Sequence, residues 1–314
     1  MQATRNKIVQ HIQESLCTLD EKKVMVGIDA FVDKIMRAVS SKSEQNDYTF
    51  FNDIAQFGDY VTSKSGKSCG IEVCERFTKY GGNGPIMAES IACLGINTDC
   101  IGAVGYPDME NIFKGLSPKC TFHSIGNPGY TTALEFEDGK VMLNYREPLN
   151  KIDWQEIKRL LGLDAIKQFF EQSHLIALVN WSGMIHYNEI FQGILDEVLL
   201  NKPVNKNQVL FFDMADFSVR TDILEAIELV NAFSAYYKVI FGLNENEAIA
   251  LYKQFNPDAA LPDLKTIGQN IFDTMHVDCF VIHTLTNAIA WEKGTISETE
   301  SLYVAQPKLS TGGG

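Results

Sequence analysis

An α/β fold with a mostly parallel sheet and a small antiparallel hairpin is predicted by two features of this sequence. From 174 to 283, compact apolar runs alternate with helical stretches in a β-α-β-α-β-α-β succession. That order is the signature of a parallel sheet with helices on both faces. One segment departs from it. In "TALEFEDGKVML" (132–143), Leu134 and Phe136 alternate with Glu135 and Glu137, and Asp138-Gly139 is a strong turn signal. This pattern predicts a two-faced antiparallel hairpin.

The elements follow in order. Ile8, Ile12 and Leu16 recur every four residues, which predicts an amphipathic helix over about 1–20. "KVMVGID" (23–29) reads as a buried strand. The stretch 40–80 is polar with interspersed aromatics and has no clean period, so it is expected to be an insertion or lid segment. "GPIMAESIACLG" (84–95) reads as a helix, with Pro85 in its first turn and Gly95 at its end. "TDCIGAVG" (98–105) is the next strand. Asp153 and Glu156 have the spacing of a capping box. Strands are then expected at 174–183, running into a loop, and at 208–214, 238–242 and 278–283. Helices are expected at 188–201, 221–233, 244–255 and 263–275.

Composition narrows the function. The 314 residues are 45% hydrophobic and 21% charged, as in an ordinary globular chain of one or two domains. The net charge is −13 with no Lys/Arg cluster, which argues against nucleic-acid binding and favours small-molecule chemistry. No apolar run approaches the ~18 residues of a membrane span. The first twenty residues lack the apolar h-region of a signal peptide. Seven cysteines without a C-x-x-C pair read as reduced thiols, so the expected compartment is the cytoplasm.

In open α/β sheets, ligands sit beyond the carboxyl ends of the strands. Five stretches stand there. Asp29 and Asp33 in "GIDAFVDKI" are either ligands for substrate hydroxyls or turn and capping acids. Gly81, Gly82 and Asn83 in "YGGNGP" (80–85) form either a tight turn or a close approach to a ligand at a helix N-terminus. Asn244 and Glu247 in "FGLNENEA" are either a capping box or a phosphate-side Asn with a Glu near Mg2+ through water. Arg220, after the strand-ending Asp213, either reaches a phosphate or lies on the surface. Thr311-Gly312-Gly313-Gly314 is either a frayed tail or a nest of amides for an oxyanion.

Taken in order, these stretches resemble the ribokinase-like (PfkB) family of ATP-dependent sugar and nucleoside kinases. The matching positions are Asp33, with Asp29 beside it, Gly81-Gly82-Asn83, the 132–143 hairpin, Asn244 with Glu247, and Thr311 to Gly314. "IACLGINTDCIGAVGYPD" (91–108) also resembles the family's helix–strand–GxVGxD passage. Two positions depart from the pattern. Ile86 stands where the family usually has Asn, and "HTLTNAIAW" (283–291) lacks the family's glycine.

The resemblance implies a single ribokinase-like domain over 1–314, a three-layer α/β/α core with lid segments at about 33–80 and 121–150. It implies phosphoryl transfer from ATP, assisted by Mg2+, to a sugar or sugar-like hydroxyl. Asp29, Asp33, Gly81, Gly82 and Asn83 would bind substrate. Asn244, Thr284, Arg220 and Thr311 would bind nucleotide, and Glu247 would hold Mg2+. Gly312, Gly313 and Gly314 would form the anion hole, and the catalytic Asp is expected just beyond Gly314, at the start of a further C-terminal segment. The outer strand edge of the lid would pair two copies into a homodimer. The alternative is a kinase-fold binding or regulatory protein without catalysis, decided by the residue after Gly314. A nicotinamide-dependent oxidoreductase is disfavoured, because no G-x-G-x-x-G fingerprint appears.

Overall fold

The computed structural model describes residues 9–10, 13–14, 18–44 and 47–301. The expected helix over about 1–20 falls mostly outside the described residues; within them residues 9–10 and 13–14 are helical and Leu19–Glu21 forms a 3-10 turn. Thr311 to Gly314 also lie outside the described residues.

The strands are β1 (Lys23–Ile28), β2 (Phe31–Lys42), β3 (Tyr48–Phe50), β4 (Val73–Gly81), β5 (Asn97–Gly102), β6 (Cys120–Ser124), β7 (Gly129–Glu135), β8 (Lys140–Tyr145), β9 (Leu175–Val179), β10 (Val209–Asp213), β11 (Lys238–Asn244), β12 (Cys279–His283), β13 (Asn287–Glu292) and β14 (Thr295–Glu300). They form two sheets. The large one runs β14-β13-β12-β11-β10-β9-β1-β5-β6. It is parallel from β6 to β12, and β13 and β14 add antiparallel at its edge. The expected parallel core is therefore present, with the sequence-predicted strands near its centre.

Why these runs become central strands follows from their two faces. Val24 and Val26 of β1, with Ala177 and Val179 of β9, pack in one cluster against the Asn83–Cys93 helix. Met25, Ile176, Leu178, Leu210 and Phe212 point the other way, into the main core. That core is closed by the helices Trp154–Leu161, Leu163–Gln172, Tyr187–Gly193, Ile223–Phe233, Glu245–Phe255 and Leu264–Thr274. A strand buried on both faces needs apolar residues at consecutive positions, which is what a run such as "KVMVGI" supplies.

The small sheet runs β3-β2-β7-β8, with β4 also on β2. The expected hairpin is its β7–β8 pair, in register from Tyr130↔Tyr145 to Glu135↔Lys140. The aperiodic 40–80 stretch becomes β3, the helix Ile54–Ser63 and β4, and it belongs to this same unit. Asp53 caps that helix by accepting from the Gln56 amide at 2.7 Å. Two boundaries change. Residues 121–124, expected on the lid side, belong to β6, which pairs parallel to β5 in the large sheet. The β13–β14 hairpin was not anticipated. All six residues of "TISETE" are exposed, so β14 has no apolar face to betray it.

Candidate active site

The chain crosses between the two sheets at the carboxyl end of β1. Asp29 and Ala30 link β1 to β2, and Gly82 links β4 to the Asn83–Cys93 helix. The two crossings lie against each other. Gly82 has φ +91°, and a Cβ there would sit 2.8 Å from Asp29 Oδ2 and 2.9 Å from Ala30 Cα, so only glycine fits.

Asp29 is fully buried. The amide of Gly84 donates to its Oδ1 at 2.7 Å. The amide of Asn83 and the Asn180 side chain donate to its Oδ2 at 3.0 and 2.6 Å. Burial raises its pKa to about 6; these three donors oppose the rise, and the charge of Asp213 adds to it. Asp29 was expected to bind substrate. Here both of its oxygens accept from the helix N-terminus and Asn180, and the residue is fully buried.

Asp33 differs. It lies on β2 opposite Lys79 of β4 and Thr131 of β7. It is 5% exposed, and burial raises its pKa against a hydrogen bond from Thr131 and the charges of Lys79 and Lys140. A Cβ on Gly81 would run into the Asp33 carboxylate. Glycine at 81 thus leaves the carboxylate its place, and Gly81, Gly82 and Asn83 come together with Asp33 at the root of the small sheet.

On the large sheet, the carboxyl ends of β10 and β11 carry Asp213 and the Asn244–Glu247 pair. Ala215 N donates to Asp213 Oδ1 at 3.0 Å. Burial raises the Asp213 pKa, opposed by that amide, by the nearby His283 and by a hydrogen bond from the Asn83 side chain. Asn83 therefore ties the acceptor side of the site to the β10 end. Asn244 and Glu247 form a complete capping box, each side chain bonded to the other's amide at 2.9 Å. Glu247 is 7% exposed, and burial together with Asp213 and Asp216 raises its pKa to about 7, against the hydrogen bond from the Asn244 amide.

Two expected nucleotide contacts are placed differently. Thr284 sits in the β12–β13 turn, where its hydroxyl donates to Asn287 Oδ1 at 2.6 Å. Arg220 is committed to the fold. It binds Asp222 through Nε and Nη2 at 2.8 and 2.5 Å, donates to the Met184 carbonyl at 2.8 Å and stacks on Trp181. These contacts occupy the guanidinium that the sequence offered to a phosphate.

Sequence reasoning missed Asn180 and Arg146. Asn180 directly follows an apolar run, so the strand-end rule would have found it. Arg146 carries no sequence signal. It follows β8, donates from Nη1 to the Ser182 carbonyl at 3.4 Å, and its buried Nε has no hydrogen-bond partner among the described residues. Residues at the carboxyl ends of β1, β9 and β10 are thus joined to those at the root of the small sheet by hydrogen bonds, and strand ends are where ligands sit in open α/β sheets.

Comparison with known proteins decides the family. The family model for prokaryotic ketohexokinase matches residues 1–314. The chain belongs to the prokaryotic ketohexokinase family. As a ketohexokinase-family protein it is a carbohydrate kinase, an enzyme for ATP-dependent phosphorylation of a sugar hydroxyl. A curated ketohexokinase from Haloferax volcanii is 26% identical over 284 residues, covering 88% of this chain and 74% of that protein. A ribokinase from Thermotoga maritima matches in fold with a TM-score of 0.56 at 13% identity, over 90% of this chain and 78% of that one. An Arabidopsis thaliana ribokinase complexed with ribose and ATP gives 0.57 at 13% identity, over 91% and 79%. The ribokinase-like fold is thus established for this ketohexokinase-family chain, and nothing in these matches favours the non-catalytic alternative.

Proposed function

We propose that the sugar is a ketohexose, held between the small sheet and the carboxyl ends of the large one. The observation that carries this reading is the buried Asp33 carboxylate beside the bare Gly81 backbone, in a chain whose curated relative is a ketohexokinase. Asp33 accepts hydrogen bonds from sugar hydroxyls, and the Gly81–Gly82–Asn83 backbone lies along the acceptor. Asn244, Thr284 and Thr311 contact the nucleotide. Arg146 joins them, with a guanidinium at the small sheet's return and a buried Nε left to pair. The amides of Gly312, Gly313 and Gly314 serve as the anion hole. Positioning and electrostatics supply most of the rate, as in other phosphoryl transfers.

Glu247 suits a Mg2+ ion. It is a hard oxygen donor crowded by Asp213 and Asp216, and a nearby cation relieves that crowding. Among the described residues no group of three or more His, Cys, Asp or Glu is placed to ligate a metal directly, so Glu247 acts through water. An E. coli protein of the same fold, described as a ribokinase II, was solved with ATP and Mg2+. When bound, the ion neutralises charge on the phosphates.

We assign the whole chain to one kinase domain, with the small sheet as its lid. Leu143 and Tyr145, more than half exposed on β8, offer the lid as a dimer surface. No helix among the described residues is long and apolar enough to cross a membrane, and the described cysteines are free, which suits the cytoplasm. The test is phosphorylation of ketohexoses, aldohexoses, pentoses and nucleosides with Mg-ATP. A ketohexose should give the highest kcat/KM. Preference for a nucleoside or an aldose would overturn the substrate assignment.

A further inference from the structure

The Asn180–Gly183 turn touches three strand ends around the acceptor site. Asn180 donates to Asp29 at 2.6 Å. Ser182 donates its amide to the Met214 carbonyl beside Asp213 at 3.0 Å and receives Arg146 from the end of β8. The Tyr187 hydroxyl, just after the turn, donates to the Val179 and Gly27 carbonyls at 3.0 and 3.3 Å, joining β9 to β1. One short turn therefore touches the ends of β1, β8 and β10.

Within it, Asn180 is unusual. Its backbone is left-handed, at φ 58° and ψ 46°, a region Asn tolerates better than most residues. Its side chain is held from behind, since a Cβ on Gly183 would sit 2.9 Å from Asn180 Nδ2. The amide is thus pre-aimed at a carboxylate whose remaining partners are the Asn83 and Gly84 amides.

We propose that Asn180 is the positioning residue of the acceptor site: through Asp29 it fixes the Gly81–Gly84 turn, and so the place of Asp33 and Asn83. The inference rests on the reading of Asp33 and the Gly81–Asn83 backbone as the sugar site. Asn180 itself need not touch the sugar. It keeps the Asp29 carboxylate ionised and directed, so that both oxygens hold the turn. Among the three donors, Asn180 is the strongest influence holding the Asp29 pKa down against burial. The other titratable groups around this carboxylate are Asp213 at the end of β10, Cys100 of β5 and Tyr187 of the Tyr187–Gly193 helix. Burial raises the thiol and the phenol well above their usual range, so both stay neutral at working pH. Asp213 adds negative charge and works against Asp29 ionisation.

Loss of Asn180 pushes the Asp29 pKa further up. The carboxylate is then protonated at a higher pH, and the acid limb of kcat/KM moves the same way. The experiment compares the wild type with Asn180→Ala, Asn180→Ser and Asn180→Asp in one assay, with KM measured for both substrates. For the alanine variant the expected result is a sugar KM up about tenfold, an ATP KM within about twofold, and an acid limb raised by about one pH unit. The serine variant retains a donor and should fall between. The aspartate variant faces a second carboxylate and should lose most. Hydrogen exchange at the Asn83 and Gly84 amides, which needs no turnover, should quicken in the alanine variant. If that variant does not fold, the serine variant gives the same comparison. A lowered Tm with unchanged KM ratio, acid limb and amide exchange would overturn the proposal and leave Asn180 a merely structural residue. A wild type inactive on every sugar would break the functional reading instead, while the exchange result would still judge Asn180.

Discussion

The two sheets treat the same kinds of side chain differently. In the large sheet, β1 and β9 are buried on both faces, and their apolar residues pack in two separate clusters. In the small sheet, β8 leaves Met142, Leu143 and Tyr145 exposed while β2 buries Ile35 and Asp33. The large sheet is a platform whose stability comes from packing. The small one is half-supported, and polar groups sit inside it at its root. The difference teaches that the proposed sugar site falls where the support changes, because there a carboxylate can be buried yet still lie close to a surface covered on one face only.

Substitutions can break or sharpen that comparison. Asp33→Ala should lower kcat/KM for the sugar by about 10^3-fold or more, since a site built to hydrogen-bond a hydroxyl loses its acceptor. Its thermal unfolding should change little, and a variant that kept wild-type turnover would remove Asp33 from the site. Phe212→Ala tests the platform. Phe212 is fully buried against Phe191 and Phe233, with centroids 5.3 and 5.4 Å away, so stability should fall by about 3–4 kcal/mol. Denaturant unfolding reads the loss, and KM for either substrate should hold until the protein melts.

Gly81→Ala places a methyl group against the Asp33 carboxylate. It should cost about 2 kcal/mol, felt as a raised sugar KM more than as a lowered Tm. Glu247→Gln joins metal and pH. The carboxyl sits near pKa 7 in the fold and near 4.5 when free, so the folded state binds the proton more tightly. Wild-type stability therefore falls as pH rises through that window. The glutamine variant escapes this fall, gaining about 2 kcal/mol on the wild type between pH 4.5 and 7. The same variant should need about tenfold more Mg2+ for half-maximal rate. The smallest effect belongs to the outer face of the lid. Leu143→Ser should change monomer stability by less than about 0.5 kcal/mol. If the lid pairs two copies, it should still shift the sedimentation of the protein toward monomer.

Much of the platform was legible in the sequence, and the site was partly so. Consecutive apolar runs, the Asp138-Gly139 turn and the Asp153 cap are local signals, written within a few residues of the structure they specify. β6 and β14 were not legible, because an edge strand that borrows its order from a neighbour needs no apolar pattern. The glycine pair and Asp33 are candidates that order along the chain picks out. The different surroundings of Asp29 and Asp33 are not legible there: two acids four residues apart look alike until Asn180, 151 residues away from Asp29, bonds to one of them. Arg220 read as a phosphate ligand until Asp222 and Trp181 engaged it. What the sequence alone determined was the alternation of elements and the positions of candidate ligands, since both depend on short-range periodicity and chain order. What only the tertiary structure decided was which polar groups are already satisfied, because a buried carboxylate or guanidinium takes its role from donors and acceptors that distant segments bring to it.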